Sequence, residues 1–165
     1  MERRELFSFL TSSIKEAVRK DEDDIVIIRP PYFIDKDSFY DECKNCNGEC
    51  AGVCKENIII ISEDKTPILD FSKRGCTYCD ECAIACPSDV LLVENKSLIG
   101  ANIVINQTTC LSHQGVMCFS CKDPCLENAI DFKAMFMPEI NDKCTSCGFC
   151  ISRCPADAID IKKVT

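Results

Sequence analysis

The stretch CTYCDECAIACP, at residues 76–87, has four cysteines separated by two, two and three residues and followed by a proline. A second stretch of the same pattern, CTSCGFCISRCP, occupies residues 144–155. Such a run binds 4Fe–4S clusters, because two intervening residues let neighbouring sulfurs face one cluster. Proline after the fourth cysteine keeps that cysteine out of the helical conformation. Each stretch therefore predicts ligands for an iron–sulfur cluster.

Sixteen of the 165 residues are cysteine, and they fall into four groups of four. Group one has an additional residue between its second and third cysteines, where Gly48 could relax the loop. Group three has seven residues between its first two cysteines, a length that a loop closes at small entropic cost. We predict four 4Fe–4S clusters, with all sixteen cysteines as iron ligands: Cys43, Cys46, Cys50 and Cys54 in group one; Cys76, Cys79, Cys82 and Cys86 in group two; Cys110, Cys118, Cys121 and Cys125 in group three; Cys144, Cys147, Cys150 and Cys154 in group four.

Two other uses of cysteine fit this pattern less well. A secreted disulfide scaffold would need a signal peptide, and its cysteine spacings would be irregular. Structural zinc sites take cysteines as two separate pairs, not as a triplet followed by a fourth cysteine. Zinc would enter mainly as a replacement for iron after aerobic expression. The pattern favours iron–sulfur clusters over both.

An internal duplication relates the two halves of the chain. Every cysteine of group two maps onto group four with an offset of 68 residues, and the last two cysteines of groups one and three align at 71. Such a repeat predicts two copies of one structural unit. We predict an α+β fold, a tandem pair of two-cluster bacterial ferredoxin-like modules with short antiparallel strands and small helices. The expected boundaries are an N-terminal helix and linker at 1–37, a first module at 38–100 and a second module at 101–165.

Short apolar and β-branched runs follow the fourth cysteines and lie between paired groups. Where turn-like residues separate two such runs, as residues 63–65 do, the two runs are predicted to form antiparallel strands. Two hairpins are expected, at 58–62 with 67–71 and at 129–132 with 138–141, and closing strands at 90–93 and 158–161. The segment 21–37 is rich in charge and contains two adjacent prolines, which predicts a linker.

The fourth cysteine of a group leads away from its own triplet, and in two-cluster ferredoxins it binds the other cluster. Tandem modules therefore predict four ligand sets, each a triplet with the fourth cysteine of the paired group: Cys43, Cys46 and Cys50 with Cys86; Cys76, Cys79 and Cys82 with Cys54; Cys110, Cys118 and Cys121 with Cys154; Cys144, Cys147 and Cys150 with Cys125. A nested arrangement, with group one paired to group four, is the alternative. His113 could replace Cys110 as a ligand, as histidine replaces cysteine in Rieske centres.

Composition restricts the classes of function. The net charge is −8, and no basic stretch is long enough to follow a phosphate backbone, so nucleic acid is not an expected partner. The longest apolar run has five residues, so no membrane span is expected. The six glycines form no flavin, nicotinamide or phosphate-binding pattern, and no cysteine is left over as a nucleophile. We expect an electron carrier and not an enzyme.

The first twenty residues allow two interpretations. Arg3-Arg4 and the apolar residues after them faintly resemble a twin-arginine export signal. Charged residues interrupt the apolar stretch early, however, and no small-residue cleavage site follows. We favour a short amphipathic helix and hence a cytoplasmic location; its apolar stripe comprises Leu6, Phe9, Leu10, Ile14, Ala17 and Val18.

The cysteine content also bears on stability and on redox potential. Cysteine accounts for many of the apolar residues, so the carbon-based core is thin and the metal-free chain is expected to be largely disordered. Asp80 and Glu81 lie between ligands of group two. Because nearby negative charge disfavours a reduced cluster, we expect this cluster to be among those of lower potential.

The chain resembles the NapF-type ferredoxins over essentially its whole length. The resemblance is carried by Arg29-Pro30-Pro31-Tyr32 ahead of group one and by CTYCDEC at 76–82. It is most specific in the unusual third group, CLSHQGVMCFSCKDPC at 110–125. A paired arginine near the start is also typical of the family. The additional residue before Cys50 is a departure from the family pattern.

This resemblance implies an accessory protein of periplasmic nitrate reductase systems. Such a protein is soluble and cytoplasmic, and it takes part in maturation of the molybdenum-containing catalytic subunit before export, by supplying electrons or a cluster. The expected partners are the precursor of that catalytic subunit and an unidentified electron donor. The residues by themselves support electron transfer. An electron-transfer subunit of another anaerobic respiratory redox complex is the alternative.

Overall fold

The computed structural model describes residues 26–163, and the side chains of residues 26–162. All sixteen cysteines lie within this range. The amphipathic helix expected near the N-terminus lies outside the described residues, so that expectation stays a prediction. Among the described residues, no helix is both long and apolar enough to cross a lipid bilayer.

Short elements joined by turns make up the described chain. The helices are α1 (Ser38–Glu42), α2 (Glu49–Gly52) and α3 (Glu81–Ile84), and single 3-10 turns lie at Cys43–Asn45 and Val93–Asn95. The strands are β1 (Ile59–Ile61), β2 (Pro67–Leu69), β3 (Ala101–Ile105), β4 (Ile130–Lys133), β5 (Met137–Ile140) and β6 (Ile159–Lys163). Helices and short antiparallel strands of this kind agree with the expected α+β class.

Both predicted hairpins are confirmed. Strand β1 pairs antiparallel with β2, and β4 pairs antiparallel with β5. The first turn is stabilised by Thr66, whose hydroxyl donates to the Asp64 carboxylate at 2.7 Å while the Ser62 hydroxyl donates to the Thr66 carbonyl at 2.7 Å. These side-chain bonds supplement the backbone bond from the Ser62 N–H to the Thr66 carbonyl at 3.0 Å.

The two expected closing strands have different outcomes. The second is confirmed as β6, which pairs along its whole length with β3. The first is wrong, because residues 90–92 form no strand and Val93–Asn95 is a 3-10 turn. The facing segment contains Pro30 and Pro31, which have no N–H to donate to a ladder. Only isolated bonds remain, such as the Leu92 N–H to the Tyr32 carbonyl at 2.9 Å.

Two hydrophobic cores touch each other. The first is built around Tyr32, Phe39 and Leu91, which are almost completely buried. The second, around β3, β4 and β6, is smaller. Ile151 and Ile161 pack against both cores. Residues 28–32 are buried in the first core, so the middle of the expected linker is packed chain rather than a free connection, while residues 34–37 are exposed.

Candidate iron–sulfur sites

The sixteen cysteines are all free thiols, so none is used in a disulfide. Burial raises the pKa of the Cys82 and Cys150 thiols to about 12, and neighbouring thiols add to the effect. Burial likewise raises the pKa of Cys50, Cys76 and Cys121 to about 11. Because iron binds the thiolate, occupation of these sites must release protons.

Group one contributes three cysteines to an open cavity of about 290 Å3, a volume that includes the solvent space at its entrance. The fourth cysteine lining this cavity comes from group two, and the set is Cys43, Cys46, Cys50 and Cys86. Helix α1 ends directly before the first of these, and its buried Phe39 forms part of the cavity wall. Gly48 takes the left-handed φ of 77° that the longer loop of group one requires.

Groups three and four line two further cavities. One, of about 340 Å3, is lined by Cys110, Cys118, Cys121 and Cys154. The other, of about 370 Å3, is lined by Cys125, Cys144, Cys147 and Cys150. His113 does not line the first of these cavities, and its Nε2 lies 3.4 Å from the Pro138 carbonyl. The seven-residue insertion therefore brings Cys110, not His113, beside the other three cysteines.

The remaining four cysteines also lie near one another. Burial is the main cause of the raised pKa of Cys82, and the neighbouring thiols of Cys76, Cys50, Cys79 and Cys54 add to it in that order. Helix α3 places Cys82 in the core, while Cys79 stays exposed to solvent. The linings of the three cavities agree with the crossed pairing of one triplet with the fourth cysteine of its partner group, and Cys54 lies near the triplet of group two.

A left-handed residue follows every group, a feature that we did not expect from the sequence. It lies three positions after each fourth cysteine and is asparagine or aspartate, the types that tolerate this conformation best: Asn57, Asp89, Asn128 and Asp157, with φ of 53°, 55°, 49° and 45°. The reversal directs the next residue into the buried core, and after groups two, three and four a backbone N–H approaches the sulfur of the fourth cysteine. Ala129 and Ala158 donate to Cys125 and Cys154, each at 3.2 Å.

Replacing Asn128 by valine is expected to destabilise the protein by ~1–2 kcal/mol, the cost of a left-handed backbone for an ordinary residue. Asn128→Gly should retain the stability of the unmodified protein, because glycine adopts this backbone freely. The matched control is Asn102→Val, since Asn102 is exposed in the extended strand β3. Thermal unfolding of cluster-loaded protein measures all three. Equal effects at positions 128 and 102 would contradict this account.

The donor sets fit iron–sulfur clusters better than single metal ions. In residues 26–163, no group of three or more His, Cys, Asp or Glu side chains is arranged to hold one metal ion. In a 4Fe–4S cluster each thiolate binds a different iron atom. The four sulfurs therefore lie further from one another than four sulfurs that bind a single ion. In addition, the Ser112 hydroxyl is buried, has no hydrogen-bond partner among the described residues and belongs to the lining of the Cys110 cavity. Sulfide or thiolate sulfur there would be an acceptor for it.

Charge is distributed unevenly around the cysteines of groups one and two. Arg29 is buried, stacks over Phe39 with 4.9 Å from its guanidinium carbon to the ring centroid, and donates to the Pro67 carbonyl at 2.8 Å. It also opposes the rise in the pKa of Cys43, which burial chiefly causes. The site of group one thus has a positive charge nearby.

The carboxylates of group two are paired with lysines. Asp80 binds Lys96 at 2.7 Å, and Glu81 binds Lys55 at 3.2 Å. Each positive charge offsets the negative charge that we expected to lower the potential of this site. The expected effect on the potential is therefore smaller than the sequence indicates.

The geometry defines a ferredoxin-type iron–sulfur protein, and comparisons with known proteins agree. A family described as "4Fe-4S binding domain" matches residues 138–160. The ferredoxin-type protein NapF of Escherichia coli (strain K12) is 31% identical over 137 residues, covering 80% of this chain and 82% of the relative. The chain therefore belongs to the NapF-type ferredoxin family.

Related ferredoxin-type proteins are longer than this chain. The ferredoxin-type protein NapG of Haemophilus influenzae is 30% identical over 163 residues, covering 83% of this chain but 58% of the relative. The methylamine utilization ferredoxin-type protein MauM of Methylobacillus flagellatus is 27% identical over 150 residues, covering 78% of this chain and 64% of the relative. The similarity thus extends across several ferredoxin-type proteins with different names.

Proposed function

We propose that this protein is a four-cluster polyferredoxin that serves as an electron-transfer and maturation factor for a molybdenum-containing periplasmic nitrate reductase. It acts in the cytoplasm on the precursor of the catalytic subunit, before export. Membership of the NapF-type family is the observation that carries this proposal, because the cysteine sets by themselves support electron transfer in general.

The chain's own residues supply the binding and the environment. When bound, a 4Fe–4S cluster accepts and releases single electrons. The crossed cysteine sets hold four such clusters, the left-handed exits direct backbone N–H groups at ligand sulfurs, and the apolar walls limit water. Hydrogen bonds, burial and nearby charge then adjust the potential of each site. Arg29 favours the reduced state of the group-one site, because a nearby positive charge stabilises added negative charge.

An electron carrier needs no substrate pocket of its own. The cavities described above are lined mainly by cysteines and apolar side chains, and every cysteine is assigned as a ligand. The proposal therefore assigns no catalytic residue to this chain, and the redox chemistry is completed on its partners. An unidentified electron donor is the second partner.

The test is a capture experiment with anaerobically purified, tagged protein whose iron and acid-labile sulfide have been measured. It is mixed with extract that contains both the precursor and the mature form of the periplasmic nitrate reductase catalytic subunit. We expect retention of the precursor and not of the mature enzyme. A protein loaded with iron that retains neither form would overturn the maturation role.

The second candidate is an electron-transfer subunit of another anaerobic respiratory complex. The similarity to MauM, a ferredoxin-type protein with a different name, is the observation that favours it. In the same capture experiment, a permanent subunit would be retained with other redox proteins in fixed proportion and without the nitrate reductase precursor. That result would replace the first proposal.

A further inference from the structure

Two glycines let cysteine loops from the two halves of the chain approach each other closely. A Cβ atom at Gly75 would lie 2.5 Å from the Phe149 nitrogen and 2.6 Å from the Cys147 carbonyl oxygen. A Cβ atom at Gly148 would collide with the ring of Phe71. Both approaches are too close for any residue other than glycine, and both glycines are adjacent to a ligand cysteine.

Direct hydrogen bonds hold the two loops together. The Cys76 N–H donates to the Cys147 carbonyl at 2.7 Å, and the Tyr78 hydroxyl donates to the Thr145 carbonyl at 2.5 Å. The loops therefore run antiparallel, with Cys76 facing Cys147. Chains bonded in this way lie roughly 5 Å apart. Two cysteines that belong to different ligand sets are thus as close as neighbours in a sheet.

A second layer of bonds fixes the segment between the modules against the same loops. The Ile99 N–H donates to the Tyr78 hydroxyl at 3.1 Å, and the Ser146 hydroxyl donates to the Ala101 carbonyl at 2.5 Å. The contact is consequently a rigid part of the fold and not a chance approach of two surface loops.

We propose that this contact is the electron junction between the modules, where the site of Cys76 and the site of Cys147 exchange electrons directly. The inference rests on the proposed function, because it requires clusters at both sites. It orders the four sites as group one, group two, group four and group three. The sites of groups two and four are the inner pair and pass electrons within the protein. The sites of groups one and three are the outer pair and face external redox partners.

The transfer step involves one electron and no change in bonding. The site that gives up the electron is oxidised by one unit, and the site across the junction is reduced by one unit. No proton or covalent bond moves between them. The electron comes from an external low-potential one-electron carrier at one outer site and leaves to an oxidised redox partner at the other.

The experiment compares two variants by electron paramagnetic resonance of the dithionite-reduced protein, after iron and sulfide have been counted. Cys46→Ala with Cys118→Ala removes the outer sites and leaves the inner pair. Cys79→Ala with Cys144→Ala removes the inner sites and leaves the outer pair. We expect broad, spin-coupled signals from the inner pair and narrow, uncoupled signals from the outer pair. Uncoupled signals from an inner pair that retains both clusters would overturn the junction.

Glycine variants of the full-length, four-cluster protein provide a second test that does not depend on ligand removal. Gly75→Ala should reduce the coupling between sites in the reduced protein, because the loops must separate to admit the methyl group. Gly100→Ala is the matched control, since nothing lies within 4 Å of its Cβ position. Unchanged coupling in Gly75→Ala with full iron content would also refute the junction. Absence of bound iron and sulfide in the unmodified protein would instead refute the proposed function.

Discussion

Removal of iron and sulfide is expected to abolish the cooperative unfolding of this protein. The structure explains why the effect should be so large: Cys43, Cys50 and Cys82 are part of the first core, and Cys150 is part of the second. Without metal these positions are protonated thiols around a cavity. The free energy of metal binding in small structural sites, ~10–16 kcal/mol, is as large as the whole stability of a typical domain, ~5–15 kcal/mol.

Calorimetry and near-ultraviolet circular dichroism of chelator-treated protein test this expectation. The metal-free chain should show neither a heat-absorption peak nor fixed aromatic signals, although Tyr32 and Phe39 are fully buried in the folded protein. Anaerobic addition of iron and sulfide to the same sample is the control, and it should restore both signals. A sharp thermal transition in the metal-free protein would show that the carbon core is sufficient.

Local sequence patterns predicted both hairpins, whose partner strands are close along the chain, and also β6, whose apolar run directly follows a cysteine group. The hairpins β1–β2 and β4–β5 could be predicted because the strands and their turn lie in one short segment. Strand β3 was missed, because its apolar run has a partner, β6, more than fifty residues further on. The error at residues 90–93 has the same origin, since the prolines that prevent a ladder lie about sixty residues earlier in the chain.

The candidate sites could be predicted in composition but not in environment. Cysteine spacing predicted the ligands, and the expected crossed sets agree with the residues that line the three cavities. The lysine partners of Asp80 and Glu81 could not be inferred, because Lys96 and Lys55 approach them only in the folded chain. Gly75 and Gly148 are each adjacent to a cysteine in the sequence, but their role depends on a contact between the halves.

Cys43→Ala and Cys86→Ala are each expected to remove one cluster, and the double variant should lose no more than either single variant. The reason is that both cysteines line the same cavity. If they serve one site, each single change already destroys it, so iron falls by about four atoms per chain in all three proteins. Two mutations that act on one unit are non-additive in this way.

Cys43→Ala with Cys154→Ala is the matched comparison, since Cys154 lines the cavity of group three. This pair should lose about eight iron atoms per chain, because two sites are destroyed. Nested ligation, with group one paired to group four, would reverse the pattern: the first double variant would lose two clusters and the second would lose one. Iron and sulfide analysis of the five purified variants, Cys154→Ala included, therefore distinguishes the two arrangements without a metal-bound structure. The crossed sets also determine which sites are inner and outer, so the same measurement decides whether the path through Cys76 and Cys147 connects two modules.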